Sequence, residues 1–335
     1  MKPNLHSSAG IMNSGKHEFT PAGWTFSARE RYLPRYGGQP VKWGTGKTNM
    51  AGVASILVTG AGGRIGSVLR HHWAGRPLAP LWIGRTMHGP GGLAADILAE
   101  IPQTPAADVV LALAGVVPGG GADMALNTDL ALAGCELAKE AGARRVLVAS
   151  SAAVYGPGTG ADLREDAPLA PVAAYGRAKL AMEHAVTRWH EAAPGRPAVT
   201  ILRIGNIAGL DALLGGNLPG ATVALDPVPG QAGGPVRSYI GVKGLADVLL
   251  ALCEVAATGA DMPPVLNVAA EPPVTMAALL AADGRPWRYG PDNPAVLGRV
   301  VLDTGALRSL LPGLALTTDA AEMVRQWHAW KDATA

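Results

Sequence analysis

From Ser55 onward the chain alternates short apolar runs with longer alanine-rich segments, and this rhythm constrains the fold more than any single motif. The apolar runs fall at 55–59, 80–83, 108–114, 145–149, 198–203 and 264–268, while segments such as 124–141 and 174–193 carry apolar residues at helical spacing. Strands that alternate with helices in this way predict an α/β protein, a parallel sheet wrapped by helices. With 335 residues, 48% of them apolar, the chain can bury a sizeable core as one large domain or two smaller ones. The rhythm breaks between Gly205 and Pro235, a stretch dense in Gly and Pro. This stretch, with the segment from 262 to 335, is expected to form a small substrate-binding lobe on a main domain spanning 50–335.

Residues 1–49 do not join the pattern. They hold both phenylalanines, Phe19 and Phe26, and show neither helical nor strand periodicity. Two readings stand side by side: a disordered or loosely packed arm that covers a surface through Trp24, Phe26 and Trp43, or a start-site artefact with translation beginning at Met50. No uninterrupted apolar segment of about 7–15 residues marks a secretory signal.

The formal net charge is +2 and no run of Lys or Arg occurs, which argues against nucleic-acid partners. Only Cys135 and Cys253 are present, far apart and without His or Cys companions at ligand spacing. They read as core residues of a protein from a reducing compartment, not as a disulfide or a metal site. No apolar stretch reaches the roughly 18 residues needed to span a bilayer. The expectation is a cytoplasmic protein with a small-molecule partner, and a homodimer is compatible with the sequence.

The stretch ILVTGAGGRIG at 56–66 places Gly60, Gly63 and Gly66 between an apolar run and an amphipathic segment carrying Ile65, Val68, Leu69 and Trp73. Strand, glycine turn and helix in this order suit a dinucleotide. The first glycine permits the turn, the second lets the backbone approach a pyrophosphate, and the third lets helix pack on strand. Arg64 and Ile65 complete this cradle. On its own the turn remains equally readable as a tight bend.

Downstream, DVVLALAG at 108–115 ends in small residues that would let a dinucleotide lie across the strand ends. RRVLVASSAAVYG at 144–156 then carries Ser150 and Ser151 at a strand end, and YGRAK places Tyr175 and Lys179 four apart on one helical face. Tyrosine, with an ordinary pKa near 10, is a poor base at neutral pH. An ammonium group one turn away favours its phenolate, and a serine hydroxyl can hold a carbonyl or alcohol oxygen in place. The set suits hydride transfer.

In these motifs the chain from about Ser55 to Trp330 resembles the extended short-chain dehydrogenase/reductase family, the NAD(P)-dependent epimerase/dehydratase group, which acts largely on nucleotide sugars. The resemblance implies a doubly wound, Rossmann-like sheet, with Ser151, Tyr175 and Lys179 as the catalytic residues. It implies adenine contacts from Asp96 and Ile97, and places Leu113, Ala114 and Gly115 beside the nicotinamide ribose. LRIGNIAG at 202–209 is similar to a strand whose asparagine, here Asn206, meets the substrate diphosphate, and Arg237 stands where an arginine binds nucleotide phosphate. Asn127 resembles the asparagine that starts the central helix, as an N-cap or as catalytic support. Ser150 is read as structural or near the cofactor, and Tyr155 as packing under the site.

Three departures bear on function. An acid that would bond the adenine ribose 2′-hydroxyl is replaced by Gly84, with Arg85 beside it. An arginine there can pair with a 2′-phosphate, Arg64 serving as helper, so NADP is favoured over NAD. SYIGVKGLA carries Gly241, Lys243 and Gly244 where a histidine and acids are more usual. Ala152 and Ala153 stand where dehydratases of the family have an acidic pair, which argues against dehydration. The expected function is reversible hydride transfer on a sugar or nucleotide-sugar carbonyl or hydroxyl. The alternatives are a nucleotide-sugar epimerase with retained NAD and a non-catalytic, redox-sensing dinucleotide binder.

Overall fold

A computed structural model of the protein describes residues 54–335, save 77, 79, 120, 158–159 and 217–221, together with the two-residue strands Arg35–Tyr36 and Gln39–Pro40. The expectations for an arm or an alternative start within 1–49 fall, those two short strands apart, outside the described residues.

The main sheet has seven strands: β1 (Ile56–Thr59), β2 (Leu81–Gly84), β3 (Gly92–Ala94), β4 (Val109–Ala112), β5 (Arg145–Ser151), β6 (Ala198–Ile204) and β7 (Val265–Val268). Their spatial order is β3-β2-β1-β4-β5-β6-β7, with every neighbouring pair parallel. Four helices cross over between strands: α1 (Arg64–His72), α2 (Leu126–Glu140), α3 (Ala174–Glu191) and α4 (Val242–Thr258).

The apolar runs are continuous rather than alternating because both faces of the sheet are buried. Ile56, Val58, Leu111, Leu147 and Leu202 point to one side and pack with Val68 and Leu69 of α1 and Leu245 and Leu249 of α4. Their neighbours Leu57, Val110, Val146, Val148 and Ile201 point to the other, against Cys135 and Leu137 of α2 and Met182 and Val186 of α3. Successive strand side chains face opposite ways, so each run feeds two cores at once. Each fully buried Leu, Ile or Val contributes about 1.5–3 kcal/mol relative to exposure.

The lobe is built differently. Its strands have two or three residues: Val223–Leu225 pairs in parallel with Trp287–Tyr289, and Val236–Arg237 lies between Val274–Thr275 and Arg299–Val300. Asn206–Ile207, directly after β6, pairs with Tyr239–Ile240. Leu214, Leu225 and Tyr239 form a separate small core with α5 (Met276–Ala282) and α7 (Ala320–Thr334) through Leu279, Leu280, Met323 and Trp327. α6 (Gly305–Leu310) and the β7 segment instead join the main body, Leu307 packing into its core. At Gly241, which precedes α4, a Cβ would meet the Gln326 Oε1 at 2.5 Å, so α7 lies where a side chain would stand. Among the described residues no helix is long and apolar enough to cross a membrane.

Candidate active site

Strand order reverses direction between β1 and β4, whose connections leave to opposite sides, and a crevice of about 620 Å³ opens over the strand ends there. The turn after β1 is drawn tight against the end of β4. Gly60 has φ 70°, and a Cβ on it would lie 2.5 Å from the Ala114 nitrogen. A Cβ on Gly66 would lie 2.6 Å from the Ala61 and Gly60 carbonyl oxygens, so α1 can follow the turn this closely only with glycine there. Gly63 differs: a Cβ would meet only the Gly60 oxygen, at 3.1 Å, and the residue faces the crevice. No side chain caps α1 and its first turn holds no acid. The first-turn N–H groups therefore point at a space bounded by backbone, with the room and the donors that a dinucleotide pyrophosphate requires. The residues present fit such a cofactor. Ile65, Leu113 and Gly115 line the same crevice, and Ala114 lies behind them at the β1–β4 contact.

Ser151, Tyr175 and Lys179 meet on the crevice floor. Ser151 ends β5 and accepts a bond from the Ala153 N–H at 3.2 Å, while its own hydroxyl stands beside that of Tyr175. Gly176 lets α3 close on this turn: a Cβ there would lie 2.4 Å from the Ala153 oxygen. That approach brings Tyr175, the second residue of α3, beside Ser151. Burial pushes the Tyr175 hydroxyl up, opposed by the Ser151 hydroxyl and the Arg64 guanidinium. Lys179 is buried, and its Nζ donates to the Ala149 carbonyl at 3.0 Å. Desolvation pulls its pKa down to about 8, Glu183 resisting. Before ligands enter, Arg64 is a positive charge acting on Tyr175 to which the sequence did not point.

Beneath this floor runs a buried polar chain that the motifs did not announce. Ser150 Oγ donates to Glu183 Oε1 at 2.5 Å, and Glu183 pairs with Arg203, Nη2 to Oε2 at 2.9 Å, both side chains about 95% buried. Arg203 Nη1 donates to the Tyr155 hydroxyl at 3.0 Å, which donates to Asn267 Oδ1 at 2.7 Å. Asn267 closes the chain on the Leu163 and Asp303 carbonyls. Removing Glu183 or Arg203 alone would strand a buried charge at a cost of about 3–5 kcal/mol. The network ties β5, α3, β6 and β7 together under Ser151 and Lys179. A signal for it existed: Arg203 and Asn267 each stand inside a mainly apolar, buried strand, and a charge or amide there needs a buried partner.

Asn127 does not cap α2. It is the helix's second residue, wholly buried, and its amide accepts from the Val116 N–H and donates to the Val116 and Met124 carbonyls. It fixes the loop after β4 that carries Gly115 into the crevice.

On the lobe side, Asn206 and Arg237 line the crevice with Asp211. The Asp211 carboxyl accepts from the Tyr239 hydroxyl at 2.8 Å and the Leu214 N–H at 3.1 Å, and burial pushes its pKa up. Arg237 is half-buried, donates to the Val236 carbonyl at 2.8 Å, and has no carboxylate within 4 Å among the described residues. Desolvation pulls its pKa down, with Tyr239 and Asp226 opposing.

The residues expected to contact adenine are not in the lining of this crevice. The Ala95 N–H donates to the Gly84 carbonyl at 3.1 Å, which sets Asp96 and Ile97 beside Gly84 and Arg85. Arg85 is exposed; Ile97 is core; Asp96 accepts from the Leu98 N–H at 3.1 Å. Arg64, expected as Arg85's helper at a 2′-phosphate, turns the other way, donating across the crevice to the Leu210 carbonyl at 2.6 Å.

Comparison with known proteins gives a consistent picture. The model of the NAD dependent epimerase/dehydratase family matches residues 56–269. A UDP-glucose 4-epimerase of Azospirillum brasilense is 33% identical over 250 residues, 62% of this chain and 70% of that protein. Among solved structures, the UDP-glucose-4-epimerase of Stenotrophomonas maltophila with bound NAD and formylated UDP-arabinopyranose is similar, with TM-score 0.68 and 21% identity. It is covered to 98% and covers 84% of this chain. The UDP-glucose 4-epimerase of Bifidobacterium longum in complex with NAD+ and UDP aligns with TM-score 0.66 and 19% identity over 83% of this chain and 98% of its own. At such identities the structural likeness speaks for the fold.

Proposed function

Because the chain belongs to the NAD-dependent epimerase/dehydratase family, and so to a family of enzymes, we propose that it carries out reversible hydride transfer on a hydroxyl or carbonyl of a nucleotide sugar. The observation that carries this reading is the meeting of Ser151, Tyr175 and Lys179 on the floor of the crevice that the glycine turn borders. A bound nicotinamide dinucleotide would supply the acceptor and donor of the hydride. Ser151, whose hydroxyl stands beside that of Tyr175, holds the reacting oxygen. Tyr175 takes the proton from that oxygen as the alcohol is oxidised and returns it on reduction. Lys179 holds the nicotinamide ribose and supplies the charge that favours the phenolate during oxidation. Asn206 and Arg237 take the nucleotide diphosphate on the lobe side.

Epimerisation is the second reading, favoured by the 33% identical UDP-glucose 4-epimerase. It requires hydride to leave and return within one binding event. Elimination of water is not part of the proposal: Ala152 and Ala153 offer no acid beside Ser151, and the Asp211 carboxyl in the crevice lining is engaged by Tyr239 and Leu214. For the cofactor we infer NADP over NAD, since Gly84 lacks the acid that would bond a ribose 2′-hydroxyl and Arg85 stands exposed beside it. The two solved neighbours that hold NAD make this the point most in need of titration. Two buried cysteines without a disulfide suit a reducing interior, which supports a cytoplasmic location.

The test is a panel of nucleotide sugars assayed for hydride transfer with NADP and NAD, and for epimer formation without added oxidant. Turnover on one of them, with the Tyr175→Phe protein inactive, is the expected result. Dinucleotide binding without turnover on any would overturn the enzymatic reading in favour of a sensor.

A further inference from the structure

Arg64 is the first residue of α1, directly after Gly63, and its side chain is exposed within the crevice. It does not lie back along its own helix. Nη1 crosses to the Leu210 carbonyl at 2.6 Å, a residue 146 positions away in the loop that follows Asn206–Ile207. This bond joins the glycine turn to the lobe side. A guanidinium has five N–H donors in a planar fork, so this bond leaves others open. No carboxylate lies within 4 Å of it among the described residues, and the first turn of α1 holds no acid. A cation without a counter-charge therefore stands at the helix end where the backbone N–H groups are also unpartnered.

We propose that Arg64 is a clasp: it pairs with the pyrophosphate of the dinucleotide while bonded to Leu210, closing the crevice over the cofactor so that it stays bound through turnover. The inference rests on the reading of the crevice as a nicotinamide dinucleotide site and goes beyond it. The fork geometry serves both contacts at once, one edge on the carbonyl and the other on a phosphate oxygen. Release of the dinucleotide then requires the Arg64–Leu210 bond to open first. A retained cofactor suits a reaction in which hydride returns to the same substrate, and it hinders one that must exchange oxidised for reduced cofactor every cycle. The clasp thus bears directly on epimerase against dehydrogenase.

The experiment measures the release of NADH and NADPH from the full-length protein by fluorescence after dilution into excess unlabelled dinucleotide, for the wild type, Arg64→Gln and Arg64→Lys. Because the side chain is exposed, thermal unfolding without ligand should be unchanged in both variants. Arg64→Gln has no charge and a shorter reach, so it loses the phosphate pairing and the Leu210 bond together, and its release should be faster by about 10- to 100-fold, the worth of a charge-assisted bond. Arg64→Lys, a charge without a fork, should fall between. Equal release rates in wild type and Arg64→Gln would overturn the clasp and leave the site reading intact. The same holds if Arg64→Gln only raises the KM for an anionic sugar, which would assign the arginine to substrate. A wild type that binds neither dinucleotide would overturn the site reading itself.

Discussion

The two walls of the crevice are made of different material. The dinucleotide wall is mostly backbone: the Gly60–Gly66 turn, the first-turn N–H groups of α1, and the ends of β1 and β4 held in contact. The lobe wall is mostly side chains, Asn206, Asp211 and Arg237, displayed on or beside two-residue strands with a core of their own. A backbone wall accepts any ligand with the right phosphate spacing and shape. A side-chain wall can be rewritten residue by residue without disturbing the sheet behind it. In the proposed function, the first would hold the dinucleotide and the second would select the sugar presented to Tyr175.

Tyr175 stands where the walls meet, and its loss should have the largest effect. Tyr175→Phe removes one oxygen and keeps the ring, so packing and dinucleotide binding should survive within a few-fold, while turnover should fall by about 10²- to 10⁴-fold. Steady-state kinetics beside a fluorescence titration separates the two quantities. Near-normal turnover would leave the backbone wall as a binding site without the proposed chemistry.

Changing one charge on each side should sharpen the contrast. Arg237→Ala should raise the KM for a nucleotide sugar by about 10- to 100-fold, as expected for a lost bond to a charged group, with dinucleotide affinity unchanged. Arg85→Ala should weaken NADPH by a similar factor of about 10 to 100 and leave NADH and the sugar's KM alone. Equal loss of NADPH and NADH would mean that Arg85 touches the adenine and ignores the 2′ position. An Arg237→Ala protein that loses dinucleotide would show the walls to be coupled.

The same contrast explains what the sequence disclosed. The strands legible as apolar runs are those buried on both faces, where each residue answers to one of two cores, as Leu57 and Val58 do. β3, three residues with Gly92 at its start, has no run to detect, and strands such as Val236–Arg237 are too short to show a period. Ser151, Tyr175 and Lys179 are visible in the sequence because the proposed chemistry needs those residue types in that order and spacing. The Glu183–Arg203 pair was not read, although Glu183 lies one turn beyond Lys179 on the buried face of α3 and Arg203 sits inside β6. Nor was the reach of Arg64 to Leu210, since a bond between residues 146 apart depends on how the lobe folds back over the turn.

The smallest effect concerns Lys179, which in the proposed function would serve both walls, through the ribose and through Tyr175. In the free protein desolvation lowers its pKa from 10.5 to about 8. Below that value it is an ammonium ready to donate to a ribose hydroxyl. As the pH rises through about 8 the charge is lost, and binding must recover the proton, so dinucleotide affinity should fall by at most about tenfold per pH unit. Folding runs in the opposite direction. Between about 8 and 10.5 the unfolded chain binds more protons at this site than the folded one, so the share of stability that Lys179 controls rises with pH across that window. A titration of dinucleotide affinity and of thermal unfolding from pH 7 to 10, on the wild type and on Lys179→Met, reads both signs together. The wild type should lose affinity while its ligand-free stability gains relative to the variant, and the variant's affinity should be weaker and flat through pH 8. Affinity equally steep in both proteins would place the titrating group elsewhere and remove Lys179 from the cofactor's contacts.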